Sequence, residues 1–177
     1  MTAEPVGRLT GVPDGLERLW TPYRMAYIEA NNAAADGECP FCVAPTRTDE
    51  AGLIVHRGET AYVVLNLFPY NPGHVLICPY RHVADYTDLT PAEVAEVADL
   101  TRTAMRVIRA ASHPAGFNIG INQGDVAGAG VAGHFHQHLI PRWAGDANFF
   151  PLIAQTKAVP QLLGETRDRL AATWERS

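Results

Sequence analysis

The chain predicts an α+β fold with a mainly antiparallel sheet, and three observations carry that reading. Five short apolar runs, bounded by Gly, Pro, Asn or Asp, have the length of strands. Three longer segments carry helical spacing instead. The two kinds of segment do not alternate in regular βαβ units, which speaks against a parallel sheet. With 177 residues, 47% of them apolar and 19% charged, the composition suits one globular core. We place that single domain at residues 16–177, behind a loosely ordered arm of residues 1–15.

Taken in order, the arm is rich in Gly and Pro, and termini of that kind order poorly. From Leu16 to Asn31, the residues Leu19, Tyr23 and Tyr27 recur at helical spacing, and Asn31-Asn32 ends the run. Glu38-Cys39-Pro40-Phe41-Cys42 follows as a knuckle. Leu53–His56 and Ala61–Leu65 read as strands around the turn Arg57-Gly58-Glu59. Tyr70-Asn71-Pro72-Gly73 is a turn by composition, and His74–Cys78 is a third strand closed by Pro79. The strongest helix runs from Pro91 to Ser112. Thr90 is its N-cap, Pro91 its first residue and Glu93 the partner in a capping box. Val94, Val97, Met105 and Ile108 form its core stripe, and Pro114 and Gly116 stop it. Phe117–Asn122 is a fourth strand, a Gly-rich loop spans Gly124–Gly130, and His134–Pro141 is the fifth strand. A last helix, from Pro160 to Trp174, closes the chain.

Charge and composition exclude several functions. A net charge of −5 offers no basic face for polymeric nucleic acid. A small anion needs only local charge, which Arg81, Arg142 or Lys157 can supply. There is no run long enough to span a bilayer and no secretory leader, so the expected setting is cytoplasmic, without a membrane partner. The three cysteines do not make a disulfide framework. Cys78, inside an apolar strand, reads as a buried small hydrophobe. Cys39 and Cys42 have the spacing of a metal knuckle, yet one such pair supplies only two of the four ligands a structural zinc requires. Free thiols or a redox pair are the alternatives.

The segment His134-Phe135-His136-Gln137-His138-Leu139-Ile140-Pro141 holds three of the seven histidines. On a helix the middle ring would point away. On an extended strand alternate side chains share a face about 7 Å apart, so all three stand together. Imidazole serves as nucleophile, acid, base or metal ligand near neutral pH, and a packing role alone is a poor explanation for three of them. Just upstream, Gly128, Gly130 and Val131 offer backbone N–H groups to a negatively charged ligand.

These residues resemble the signature of the histidine triad (HIT) superfamily, in which three histidines alternate with apolar residues. Asn66-Leu67-Phe68-Pro69-Tyr70-Asn71-Pro72-Gly73-His74 is similar to the family's ribose-side segment, and Pro79-Tyr80-Arg81-His82 to the turn that follows it. Leu19–Arg24 and Pro141–Phe149 resemble the actinobacterial diadenosine tetraphosphate (Ap4A) phosphorylase branch. The resemblance covers nearly the whole chain from Leu16. It implies a HIT-like five-stranded sheet, a small-molecule nucleotide ligand (a diadenosine polyphosphate, AMP or ATP), no organic cofactor and a homodimer. By position, it makes His136 the nucleophile that accepts a nucleoside monophosphate. A neutral imidazole attacks phosphorus well and later leaves well, splitting one hard step into two. His138 would bind a phosphate oxygen or assist proton transfer. Asn66 would hold the ribose, Gln123 would lie near the scissile phosphate, and Arg142 and Trp143 would cover the second phosphate or nucleoside.

Some superfamily members complete a cysteine knuckle with the histidine of the turn and the first triad histidine. That implies a structural zinc on Cys39, Cys42, His82 and His134, leaving His136 for chemistry. His56, His74 and His113 are expected in structural or surface roles. Overall similarity favours inorganic phosphate as acceptor, whereas Gln123 leans toward water and hydrolysis. Two other classes compete. One is a metal-dependent hydrolase or oxygenase with its ion on His134, His136 and Asp146; the other is a nucleotide sensor that binds without turnover.

Overall fold

The computed structural model describes residues 38–146 and 161–176. The arm at 1–15, the expected helix over Leu16–Asn31 and Lys157 lie outside those residues. The described elements are α1 (Pro40–Val43), α2 (Asp49–Gly52), β1 (Ile54–Arg57), β2 (Ala61–Leu65), β3 (Val75–Pro79), α3 (Pro91–Ser112), β4 (Gly116–Ile121), β5 (Gln137–Arg142) and α4 (Leu163–Trp174). The five strands form one sheet in the order β1-β2-β3-β5-β4, antiparallel at every pairing. The fold is therefore α+β, as the sequence predicts.

Strand β2 is buried along its whole length, and so is β3, because the sheet is covered on both faces. Side chains alternate, so neighbouring residues feed different cores. Val63, Leu65, Val75, Ile77 and Leu139 pack under α3 and α4 with Val97, Leu100, Val107, Ile108 and Leu170. Ile54, Tyr62, Val64, Leu76 and Cys78 turn to the opposite face, where Phe41 and Ala44 cover them. The register sets Leu76 beside His138, which places the histidine on that second face. Helices α3 and α4 support one side of the sheet, and His138 stands on the other.

Helix α3 has the predicted bounds. The Thr90 hydroxyl accepts from the Glu93 N–H (3.2 Å) and the Glu93 carboxylate accepts from the Thr90 N–H (2.7 Å), closing the capping box. Such a cap is worth about 1 kcal/mol. Glu93 also receives two bonds from Arg81 at 3.0 and 2.7 Å, and this pairing, outweighing burial, holds its carboxyl down at about 2. Arg81 is thus part of the helix start, where the sequence had made it a candidate for an anion. Val97 and Ile108 are buried as expected, but Leu100, Ala104 and Val107 fill the stripe, while Val94 and Met105 lie at its margin.

Boundaries move where backbone chemistry demands it. Leu53, expected in the first strand, closes α2 with φ of 56° and sends its N–H to the Asp49 and Glu50 carbonyls. His113 closes α3 in the same left-handed conformation, at φ 49°. The fourth strand slides back one residue to begin at Gly116, and the last helix starts at Leu163 rather than Pro160. The largest correction concerns the histidine strand, which begins at Gln137, so that of the three only His138 lies within it. Continuing the ladder would set Phe135 opposite Pro79, which has no N–H to give. The Phe135 N–H instead goes to the Val83 carbonyl at 2.6 Å.

Candidate active site

His136 is 5% exposed, and its Nδ1 lies 2.8 Å from the main-chain oxygen of His134. A carbonyl can only accept, so Nδ1 carries the proton and Nε2 keeps its lone pair. Burial pushes the imidazole below its ordinary pKa, against the opposing pull of that hydrogen bond. A neutral ring with a defined tautomer is the form that attacks phosphorus.

The neighbouring histidine is set the opposite way by a chain of donors. The backbone N–H of Tyr70 donates to His74 Nδ1 (3.1 Å), and the Asn66 amide donates to the same atom (3.3 Å). His74 must then carry its proton on Nε2, which faces His138 Nδ1 at 3.0 Å. His138 accepts there, so its own proton resides on Nε2. The rings of His136 and His138 are 5.1 Å apart. One therefore presents a lone pair and the next an N–H, which suits attack on phosphorus beside a charged oxygen. His74, expected in a structural role, is fully buried and hydrogen-bonded to the third triad histidine. The signal was strand parity: residues 74, 76 and 138 share one face once β3 pairs with β5.

The first triad histidine faces elsewhere. His134 Nε2 donates to the Pro79 carbonyl (2.9 Å), leaving the Nδ1 lone pair 3.4 Å from Cys39 Sγ and 3.5 Å from Cys42 Sγ. His82 Nδ1 lies 3.3 Å from Cys42 Sγ. All four donor atoms of Cys39, Cys42, His82 and His134 fall within 4.8 Å of one another. Tetrahedral zinc, with bonds of roughly 2.3 Å to sulfur and 2.0–2.1 Å to nitrogen, separates its ligand atoms by about 3.3–3.8 Å. The donor set fits that ion, and the Pro79 bond is the outer contact that fixes a ligand histidine's tautomer. This is the one such metal-ligand group among the described residues. The rival triple of His134, His136 and Asp146 is not assembled.

Phe41 lies between the two cysteines in sequence, and its ring centroid is 5.5 Å from that of His134 and 4.9 Å from that of His136. Its carbonyl accepts from the Tyr62 hydroxyl at 2.6 Å.

Asn66 anchors its own segment, accepting from the Phe68 N–H (3.0 Å) as it binds His74. Beside it Leu67 and Phe68 are about 60% exposed. Gly128 has φ of 82°, a conformation that favours glycine. Gly130 is exposed, and the Val131 carbonyl accepts from the His134 N–H (3.4 Å), which joins the loop to the histidines. Gln123 receives the Tyr86 N–H at 3.0 Å, so it pins the turn before α3. Arg142 is engaged by both oxygens of Asp146, at 2.6 and 2.8 Å, and by Asn118 at 2.7 Å. The paired guanidinium holds the Asp146 carboxyl well below the usual range. Asp146 also takes the Asn71 amide (2.8 Å), tying the Asn66–Gly73 segment to the end of β5. Trp143 donates to the Ser112 carbonyl, His56 stacks on Trp174, and Cys78 is fully buried.

Fold and site together define a histidine triad protein. The HIT domain model matches residues 47–145, more than half of the sequence, and the chain belongs to that family. An AP-4-A phosphorylase from Mycobacterium tuberculosis is 48% identical over 176 residues, covering 96% of this chain and 90% of that protein. The asymmetrical bis(5'-nucleosyl)-tetraphosphatase of Schizosaccharomyces pombe is 38% identical over 93 residues, 52% of this chain and 50% of the relative. Among solved structures, a zinc-bound histidine triad family protein from Mycobacterium smegmatis superposes with a TM-score of 0.61 at 26% identity, covering 78% of this chain and 94% of the other.

Proposed function

We propose that this chain is an Ap4A phosphorylase that works through a nucleotidyl-His136 intermediate. The observation that carries the mechanism is the 2.8 Å bond from His136 Nδ1 to the His134 carbonyl, which reserves the Nε2 lone pair for attack. In the first step Nε2 forms a bond to the α-phosphorus of Ap4A, and the bond to the bridging oxygen breaks, releasing ATP. The ring, protonated at Nδ1 and bonded to phosphorus at Nε2, carries a positive charge against the phosphate. In the second step an oxygen of inorganic phosphate attacks, the N–P pair returns to Nε2, and ADP leaves. His138 Nε2–H donates to a phosphate oxygen through both steps, and the N–H groups around Gly130 and Val131 stabilise developing charge. Asn66 holds the ribose. Gln123 and Arg142 serve as substrate contacts by exchanging their present partners for phosphate oxygens.

The choice of phosphate as acceptor is supported by the extensive similarity to the mycobacterial phosphorylase. Water is the second reading, favoured by Gln123 and by the likeness to an asymmetrical tetraphosphatase. We assign a structural zinc to Cys39, Cys42, His82 and His134, on the strength of their donor geometry. We further propose a homodimer built on the open edge of β4, where Ile119 is 50% exposed. The setting is the cytoplasm, which agrees with three free cysteines; among the described residues no helix is long and apolar enough to cross a membrane.

The test is brief mixing of protein with Ap4A followed by intact-mass measurement, with and without phosphate. The expected result is one added AMP, absent in His136→Ala, and discharge to ADP when phosphate is supplied. Discharge to AMP at an unchanged rate in phosphate would make the chain a hydrolase. Tight binding without turnover would make it a sensor, and turnover in His136→Ala would remove the mechanism.

A further inference from the structure

We propose that Phe41 is a positioning residue for His136, and that it carries the state of the metal knuckle to the reacting ring. The inference rests on the reading of His136 as nucleophile. It concerns a residue outside the segment matched by the family model, which begins at residue 47.

The hydrogen bond to the His134 carbonyl fixes one edge of the His136 ring. It does not by itself stop the ring from swinging about that edge, and the swing moves Nε2, the atom that must meet phosphorus. Two rings limit it. His138 stands at 5.1 Å with planes 67° apart, and Phe41 lies at 4.9 Å with planes 38° apart. Phe41 is itself half-buried and anchored at two points. Its carbonyl is tied to Tyr62, a fully buried residue of β2, and its ring packs into the core of Ile54, Tyr62, Val64 and Leu76. Cys39 and Cys42, on either side of it, lie 3.4 and 3.5 Å from the His134 ring. The thiols that would hold an ion with His134 thus flank in sequence the ring that packs on His136, so the knuckle and the reacting ring share Phe41. A flat aromatic face limits ring tilt in a way that a flexible aliphatic side chain does not.

The experiment measures three quantities in Phe41→Ala, Phe41→Leu and Phe41→Tyr: zinc per chain, the single-turnover rate of His136 nucleotidylation, and the 15N ring shifts of His136. Misplacement of a reacting atom by about 1 Å costs on the order of a hundredfold. Phe41→Ala should therefore slow nucleotidylation roughly 10- to 100-fold with KM within about twofold. Its 15N ring signals should move or broaden, reporting a ring whose tilt is no longer confined while Nδ1 keeps its proton. Phe41→Tyr should restore both properties, with Phe41→Leu between. If Phe41→Ala fails to fold or loses zinc, Phe41→Leu decides, because it keeps the apolar bulk but not the ring. Nucleotidylation at the wild-type rate in a zinc-loaded Leu variant would overturn the proposal, as would a slow variant whose ring shifts match wild type. Stripping zinc from the wild type should shift the His136 signals the same way, and stripping that leaves them unmoved would sink the coupling. Failure of the nucleophile reading itself looks different: the wild-type protein would form no adduct at all.

Discussion

At the scale of the single residue, the site is a set of imidazoles whose protons are assigned by their surroundings. Main-chain groups decide most of them: the Pro79 carbonyl for His134, the His134 carbonyl for His136 and the Tyr70 N–H for His74. His138 inherits its proton position from His74. Replacing His74 by Phe should fill the space but break the relay, letting His138 adopt either tautomer. We expect kcat to fall by about tenfold or more, within the range for a displaced proton donor, while nucleotidylation of His136 remains detectable by mass. Steady-state kinetics check this, and an unchanged kcat would make His74 a packing residue after all. The sequence showed the types and spacing of the triad, because alternation along a chain is visible in its letters. It did not show that His74 bonds to His138 or that Phe41 packs against His136. Those contacts come from pairing between β3 and β5 and from packing of the knuckle, and neither is local in sequence.

At the scale of the element, α3 is the part most legible in advance. Thr90, Pro91 and Glu93 are three signals within four residues for one start, and the helix begins where they say. Thr90→Ala should cost about 1 kcal/mol, seen as a lower midpoint in thermal or denaturant unfolding. Glu93 adds a pH dependence whose sign is fixed by its depressed pKa. Its folded value is about 2 against an ordinary value near 4.5. Its contribution is thus present above about pH 4.5 and is lost as pH falls toward 2. Glu93→Gln should flatten the acid side of the stability profile across that window; a profile that keeps the wild-type slope would assign the loss to other carboxylates. Strand β5 was less legible at its start. Hydrophobic alternation continues through Phe135, but a ladder needs donors on its partner, and Pro79 provides none. Pattern records which side chains can face a core; it does not record which backbone hydrogen bonds close.

At the scale of the whole molecule, the sheet separates support from chemistry. One face rests on α3 and α4, and the other carries the knuckle, the triad and the Asn66–Gly73 segment. The class of fold was legible because strands and helices announced themselves irregularly along the chain. The strand order was not, since β5 inserts between β3 and β4, a long-range choice. The four residues proposed to hold zinc come from three separated stretches, so the sequence alone supplied only the Cys39–Cys42 pair, and family likeness supplied the rest. Removing zinc with a strong chelator should lower the melting temperature by about 5 °C or more, as expected for loss of a few kcal/mol in a chain of this size. Metal analysis that finds no stoichiometric zinc in fresh protein would withdraw the assignment.

The oxygen that accepts from His136 Nδ1 belongs to the peptide unit of residue 134, not to its side chain. No amino-acid exchange at that position can delete it. Drift there would be felt first as weaker hold on the ion, while the proton on the neighbouring ring stayed where it was. The two duties of residue 134 are thereby separate at the proton, and any effect of the ion on the ring's tilt has to pass through Phe41: one duty is heritable through the codon, and the other is written into the chain's path.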